Sequence, residues 1–278
     1  MFSAAPFNGL AGFGPGFAPR PQISHVVFDF DGTLSWLCHG WPGIMRRLFR
    51  EHYPARPGES EAAINDLLLA EILEWNGRQT IYQMERFVER ARGLGGNPPS
   101  PKDLLSEYQR RLDEVIEQRS QLILQGGARP DDFVVCGARG LLEQLRARGL
   151  RLVILSGTVE HRVKQQAQLL DLTRYFGTHI YGGTPDPAQF SKQSVIDRLL
   201  REENIQGEHL LSFGDGPVEI SITKKAGGLA IAVASDEEHN GSGQMDPHKR
   251  QQLLDAGADL VIPDYRDAGA LMEAIFGK

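Results

Sequence analysis

Cysteine is scarce in this chain of 278 residues: there are two, Cys38 and Cys136, and they form no CxxC or zinc-like spacing. That excludes a disulfide framework. No apolar run approaches the roughly 18–20 residues that a membrane-spanning helix needs. Excess positive charge is missing as well. The formal net charge is −6, so neither nucleic acid nor a membrane surface is an expected partner. The eight histidines fall in no HExxH or HxxxH pair, which leaves a zinc site without support. No fixed-period repeat runs through the chain. Residues 1–22 carry no charged stretch ahead of a sustained apolar one, so no signal peptide is read, and a reducing cytoplasm is the expected location. This opening segment, rich in Gly, Pro, Ala and Phe, is expected to be a flexible arm.

What the chain does contain is 41% hydrophobic residues, enough for a sizeable core. Its arrangement is organised around HVVFDFDGTL, residues 25–34. A short apolar run closed by turn residues reads as a buried strand. Val26, Val27 and Phe28 should therefore form a central strand, with Asp29 at its tip and Asp31 on the loop that Gly32 turns. From residue 36 to 129 the spacing becomes helical. WPGIMRRLFREHY, ESEAAINDLLLAEILEW, TIYQMERFVERA and SPKDLLSEYQRRLDEVIEQRSQLIL carry apolar residues three and four apart, separated by Pro and Gly breakers. From about residue 130 strands and helices alternate, the pattern of a parallel sheet with helices on both faces. The expected architecture is an α/β core of residues 23–35 and 130–278 with a four-helix bundle, 36–129, inserted into it.

In open parallel sheets ligands bind at the carboxyl ends of the strands. Four sets of polar residues are expected there: Asp29 and Asp31; Ser156, Gly157 and Thr158 after LVIL; Lys192 at a helix start; and Asp215 and Glu219 after LLSFG. Together they suit phosphoryl transfer, which needs a nucleophile, charge neutralisation and a metal bridging phosphate to carboxylates. Asp29 is placed for nucleophilic attack, and Asp31 for general acid–base work. Ser156 with its neighbouring N–H groups, read as a helix N-terminus, suits a phosphate oxygen. Gly157, Gly32 and Thr33 join the expected phosphate-binding set, and Lys192 supplies positive charge. Asp215 offers a hard oxygen to Mg²⁺. Glu219, one helical turn on, is positioned to hold a metal-bound water. Each piece also has a purely structural reading, such as Ser156 as a helix cap and Lys192 as a surface lysine.

In order and spacing this set resembles the haloacid dehalogenase (HAD) superfamily of phosphohydrolases. The motifs at residues 25–34, 150–158, 190–194 and 211–220 carry the resemblance. It implies a Rossmann-like core, with the bundle as a helical cap of the C1 type that closes over the site and selects the substrate. It also implies that Asp29, Asp215 and the backbone carbonyl of Asp31 ligate Mg²⁺. The second aspartate of DFDGT favours phosphate-ester hydrolysis over dehalogenation. Two departures stand out: Glu219 where aspartate is more usual, and Gly157 where asparagine is common.

The expected activity is therefore a Mg²⁺-dependent phosphatase for a small phosphorylated metabolite, such as a sugar phosphate or phosphoglycolate, through an aspartyl-phosphate. A phosphomutase remains open, as does a non-catalytic protein that binds a partner. A phosphonate hydrolase would want a Schiff-base lysine in the bundle, which holds only Lys102. A dinucleotide-binding oxidoreductase would want GxGxxG after the first strand, and none is there. Within the bundle, the loop with Arg78, Gln79 and Thr80 is the candidate specificity element: Arg78 for a second anionic group, Gln79 or Thr80 for a hydroxyl.

Overall fold

The structure, a computed structural model, describes residues 12–14, 17–75, 79–184, 190–236 and 238–277. It divides into two compact units, one of Met1–Leu37 with Leu122–Lys278 and one of Cys38–Gln121.

The first unit is built on a sheet of seven strands among the described residues: β1 (Gly12–Phe13), β2 (His25–Phe28), β3 (Arg151–Val159), β4 (Ile180–Gly183), β5 (Leu210–Gly214), β6 (Leu229–Val233) and β7 (Leu260–Ile262). They lie in the order β1-β7-β6-β5-β2-β3-β4. All pairings from β2 onward are parallel. The reason is legible in their composition: β2, β5, β6 and β7 are buried along their whole length, as strands covered on both faces must be. Alternation by two then assigns each residue to a face. Phe28, Ile154, Phe213 and Ile231 point to the side packed by α5 (Ala138–Ala147) and α11 (Ala268–Phe276). There the rings of Phe28 and Phe213 stack with centroids 4.8 Å apart. Val27, Val153, Leu155 and Leu210 point to the opposite side, against Ile196 and Leu199 of α8 (Lys192–Glu202) and Ile222 of α9 (Pro217–Lys225). Helices α6 (Glu160–Leu169), α7 (Thr173–Phe176) and α10 (Pro247–Asp255) also belong to this unit.

The second unit is helical, with α1 (Trp41–His52), α2 (Glu61–Glu74), α3 (Thr80–Gly93) and most of α4 (Pro101–Leu124). Ile44, Met45, Leu48 and Phe49 of α1 meet Leu68 and Ile72 of α2, Met84, Phe87 and Val88 of α3, and Leu104 of α4. The Phe49 and Phe87 rings stack at 4.1 Å. Ser60 caps α2 by accepting a hydrogen bond from the Ala63 N–H at 3.2 Å. No helix among the described residues is long and apolar enough to cross a membrane.

Two expectations need correction. Residues 1–22 are not a flexible arm wherever they are described. Gly12–Phe13 pair antiparallel with Val261 and Leu260, Phe17 packs on the core, and Arg20 donates to the Ile275 carbonyl at 2.6 Å and to that of Gly227 at 2.7 Å. Backbone pairing at a sheet edge needs no apolar periodicity, so composition did not show it. The unit boundary also falls before residue 129, because Ile123 near the end of α4 packs on the first unit's core.

Candidate active site

Because β5, β2 and β3 are neighbours, their carboxyl ends bring three loops together. Asp29 follows β2 directly, and its N–H donates to the Phe213 carbonyl of β5 at 2.9 Å. By alternation its side chain lies on the Val27 face, where α8 and α9 pack. Lys192, the first residue of α8, sets its Nζ 2.9 Å from Asp29 Oδ1 and also pairs with Glu219 in the first turn of α9. Ser191 fixes the start of α8 by accepting from the Ser194 N–H at 3.0 Å. Asp29 Oδ1 accepts the Phe30 N–H as well, at 2.8 Å.

Asp29 is buried, and the Lys192 and Glu219 side chains are each only 12% exposed. Loss of water pushes the Asp29 carboxyl well up, against the pull of Lys192 and with Glu219 and Asp215 adding to the rise. For Lys192 burial pulls down, but Asp29 and Glu219 together more than reverse it, and the ammonium is held charged. The site is thus crowded with carboxylates that favour a cation among them.

Asp31 is half-buried on the loop, and its Oδ2 accepts a hydrogen bond from Thr158 Oγ1 at 2.8 Å. Gly32 has φ +73°, and a Cβ there would come within 2.2 Å of Asp215 Oδ2. Only glycine lets the two acidic loops close to this distance. Asp215 Oδ2 is also 3.1 Å from the ammonium of Lys249 in α10.

The expected phosphate-binding residues fare unevenly. Ser156 is buried within β3 and does not begin a helix. The strand continues to Val159, which pairs with Gly183, and α6 starts at Glu160. The Ser156 hydroxyl accepts the Thr158 N–H at 3.0 Å. Gly157 is exposed beside it. Gly32 and Thr33 do not offer their N–H groups to an anion, because these donate within the turn, to the Ser35 carbonyl at 2.9 Å and the Phe30 carbonyl at 3.3 Å. The Thr33 side chain is fully buried. Glu219, expected beside the metal, is found paired with Lys192. Gln79 and Thr80 belong to the second unit, where Gln79 precedes α3 and Thr80 is its first residue. Arg78 lies outside the described residues.

Two residues take on more than the sequence reading gives them. Thr158 was read only as part of its triplet, and Lys249 was not singled out. The available signal for Lys249 was its place four residues before Leu253, in the inward stripe of α10.

Among the described residues no set of three or more His, Cys, Asp or Glu side chains is arranged to enclose a metal. Mg²⁺ does not require one, since it takes one or two carboxylates and completes its shell with waters and phosphate. The ion pairs engage Asp29 Oδ1 and Asp215 Oδ2, leaving the second oxygen of each carboxylate. Two hard donors in a site with surplus negative charge fit that ion.

A family model described as haloacid dehalogenase-like hydrolase matches residues 23–227, more than half of the chain. A phosphorylated carbohydrates phosphatase of Thermotoga maritima is 23% identical over 179 residues, covering 63% of this chain and 72% of that one. Among solved structures, a conserved haloacid dehalogenase-like protein of Agrobacterium tumefaciens aligns with a TM-score of 0.63 and 19% identity, over 91% of this chain and 98% of that one. A HAD family hydrolase of Deinococcus radiodurans, with bound phosphate and sodium, aligns with a TM-score of 0.58 and 19% identity, over 92% and 97%. At such identities the structural likenesses speak for the fold, and the family model covers the acidic loops, Ser156 and Lys192. The chain belongs to the haloacid dehalogenase-like hydrolases.

Proposed function

We propose that this hydrolase is a Mg²⁺-dependent phosphatase that cleaves a small phosphorylated metabolite through an aspartyl-phosphate on Asp29. The observation that carries the reading is the contact of Lys192 Nζ with both Asp29 and Glu219. A largely buried ammonium held by two carboxylates beside a third, at the edge where three parallel strands end, is suited to meet a phosphate once a divalent cation offsets the surplus negative charge. The Thermotoga relative is a phosphatase for phosphorylated carbohydrates, and the Deinococcus structure holds phosphate and sodium. Both support a phosphorylated substrate, and the Thermotoga relative makes a sugar phosphate the first to test.

Bound by Asp29, Asp215 and the Asp31 carbonyl, Mg²⁺ would supply the positive charge that lets an anionic nucleophile meet an anionic phosphate. The remaining work falls to the chain itself. An Asp29 carboxylate oxygen bonds to phosphorus as the ester P–O bond breaks. Asp31, oriented by Thr158, gives its proton to the departing alkoxide. It then takes a proton from water as that water attacks phosphorus and the aspartyl P–O bond breaks. Lys192 stays charged throughout, next to the nucleophile, with Glu219 holding it in place.

The test is a screen of phosphorylated metabolites and an aryl phosphate, reading inorganic phosphate with and without Mg²⁺. Release that stops with EDTA, returns with Mg²⁺ and is lost in Asp29→Asn is expected. Equal release by Asp29→Asn would end the proposal, and isomer formation without phosphate would make the protein a mutase instead.

A further inference from the structure

Helix α10 carries a feature that its own packing does not require. Its two inward positions are Lys249 and Leu253. Leu253 joins an apolar cluster with Ala230, Ala232 and Val261. Lys249 is 1% exposed, and an ammonium withdrawn from water to that degree is unfavourable by several kcal/mol unless a carboxylate compensates it. The compensation includes Asp215 Oδ2, at 3.1 Å.

The backbone that delivers this ammonium is held closely. Asp246 Oδ1 accepts the N–H groups of His248 and Lys249, both at 2.9 Å. The Asp246 N–H donates to the Ala234 carbonyl at 3.0 Å. The next residue, Ser235, is buried, and its hydroxyl donates to the Gly32 carbonyl at 3.3 Å. One segment, from Ala234 to Lys249, therefore touches both acidic loops: Gly32 through Ser235, and Asp215 through Lys249. Gly32 and Asp215 are themselves in close approach, as the position of a Cβ on Gly32 shows.

We propose that Lys249 is a positioning residue for the metal site: it grips Asp215 by Oδ2 and so fixes Oδ1 as the oxygen offered to the cation. This rests on the Mg²⁺-phosphatase reading above. Asp215 lies in a loop, near enough to Asp29 for the two carboxylates to repel, with Glu219 adding to the negative charge around Asp29. Without a tether its carboxylate has reason to turn away from them. Lys249 opposes that turn and, with Lys192, offsets part of the repulsion before the cation arrives. A partner that orients a metal-ligating carboxylate typically matters by roughly 10–100-fold in metal affinity.

The opposite sign follows if Lys249 is only a counterion. Removing a positive charge from beside the site would then tighten Mg²⁺ binding. The experiment is calorimetric titration of MgCl₂ into the full-length protein without substrate, for wild type, Lys249→Met and Lys249→Gln, with melting temperatures alongside. Both variants remove the charge, so either suffices should the other fail to fold. The expected result is a Mg²⁺ Kd raised roughly 10–100-fold in a folded variant, with substrate KM at saturating Mg²⁺ unchanged. An unchanged or lower Kd would overturn the inference, and so would failure of both variants to fold, which would make Lys249 a residue of stability alone. A wild type that neither binds Mg²⁺ nor releases phosphate would fail the phosphatase reading itself, an outcome distinct from normal wild type beside unaffected variants.

Discussion

Thr158 Oγ1 lies 2.8 Å from Asp31 Oδ2 and donates to it across 127 positions of sequence. It ties the loop after β2 to the end of β3 and orients the carboxyl group assigned to proton transfer. A hydrogen bond to a charged group contributes about 1.5–3 kcal/mol. Thr158→Val is therefore expected to lower kcat by about tenfold or more with little change in KM, while Thr158→Ser stays near wild type. Steady-state kinetics on an aryl phosphate checks this; a valine variant with unchanged kcat would free Asp31 from any need of Thr158.

Gly32 and Asp215 are in such close approach that an added Cβ has no room, as it would fall 2.2 Å from Asp215 Oδ2. The positive φ of Gly32 adds backbone strain for any other residue. Gly32→Ala is expected to fold, because the strain is confined to the loop, but to push Asp215 aside. Mg²⁺-dependent hydrolysis should fall by two orders of magnitude or more on the scale of displaced catalytic groups. Retained activity would show that Asp215 has no fixed place in the reaction.

Lys192 stands between two largely buried carboxylates. Taking one partner from a buried pair costs about 3–5 kcal/mol, because the remaining charge is left uncompensated. Lys192→Met should lower the denaturation midpoint on that scale and abolish hydrolysis. Lys192→Met with Glu219→Gln should recover part of the stability and none of the activity. A double variant no more stable than the single one would contradict the pairing.

Below this trio lies a cavity of ≈ 10 Å³ lined in part by Val27, Leu155, Ser212, Ile222 and Thr223. The hydroxyls of Ser212 and Thr223 are buried there without a hydrogen-bond partner among the described residues. Replacing such a group by an apolar one of the same shape removes a desolvation penalty of about 1–3 kcal/mol. Thr223→Val is expected to raise the urea midpoint with activity unchanged, and a lowered midpoint would contradict the packing described.

The acidic loops are legible in the sequence because each ends an apolar run with turn residues, and β2 to β7 follow from the same signal. Other parts were hidden for physical reasons. β1 is a Gly-Phe pair held by backbone bonds to β7, and a ladder at a sheet edge leaves little trace in side-chain pattern. RLVILSGT reads as a strand and β3 covers it, but Ser156 is not at a helix start as also expected, and the cause lies in another strand. Gly182 and Gly183 of β4 have no side chains, and a Cβ on either would sit 2.6 Å from the Thr158 or Gly157 carbonyl. Their absence lets β3 run on to Val159. Lys249 was passed over because a lysine in a helix ordinarily marks the solvent face. Its burial depends on Asp215, thirty-four positions earlier.

The central claim is that Asp29 receives the phosphoryl group. The most direct measurement is rapid acid quench of the enzyme turning over an aryl phosphate with Mg²⁺, followed by peptide mass spectrometry. The account predicts one phosphoryl group on the peptide that contains Asp29, absent without Mg²⁺ and absent in Asp29→Asn. Phosphate release at the full rate with that peptide unmodified at every quench time, or with the group on another residue, would contradict it.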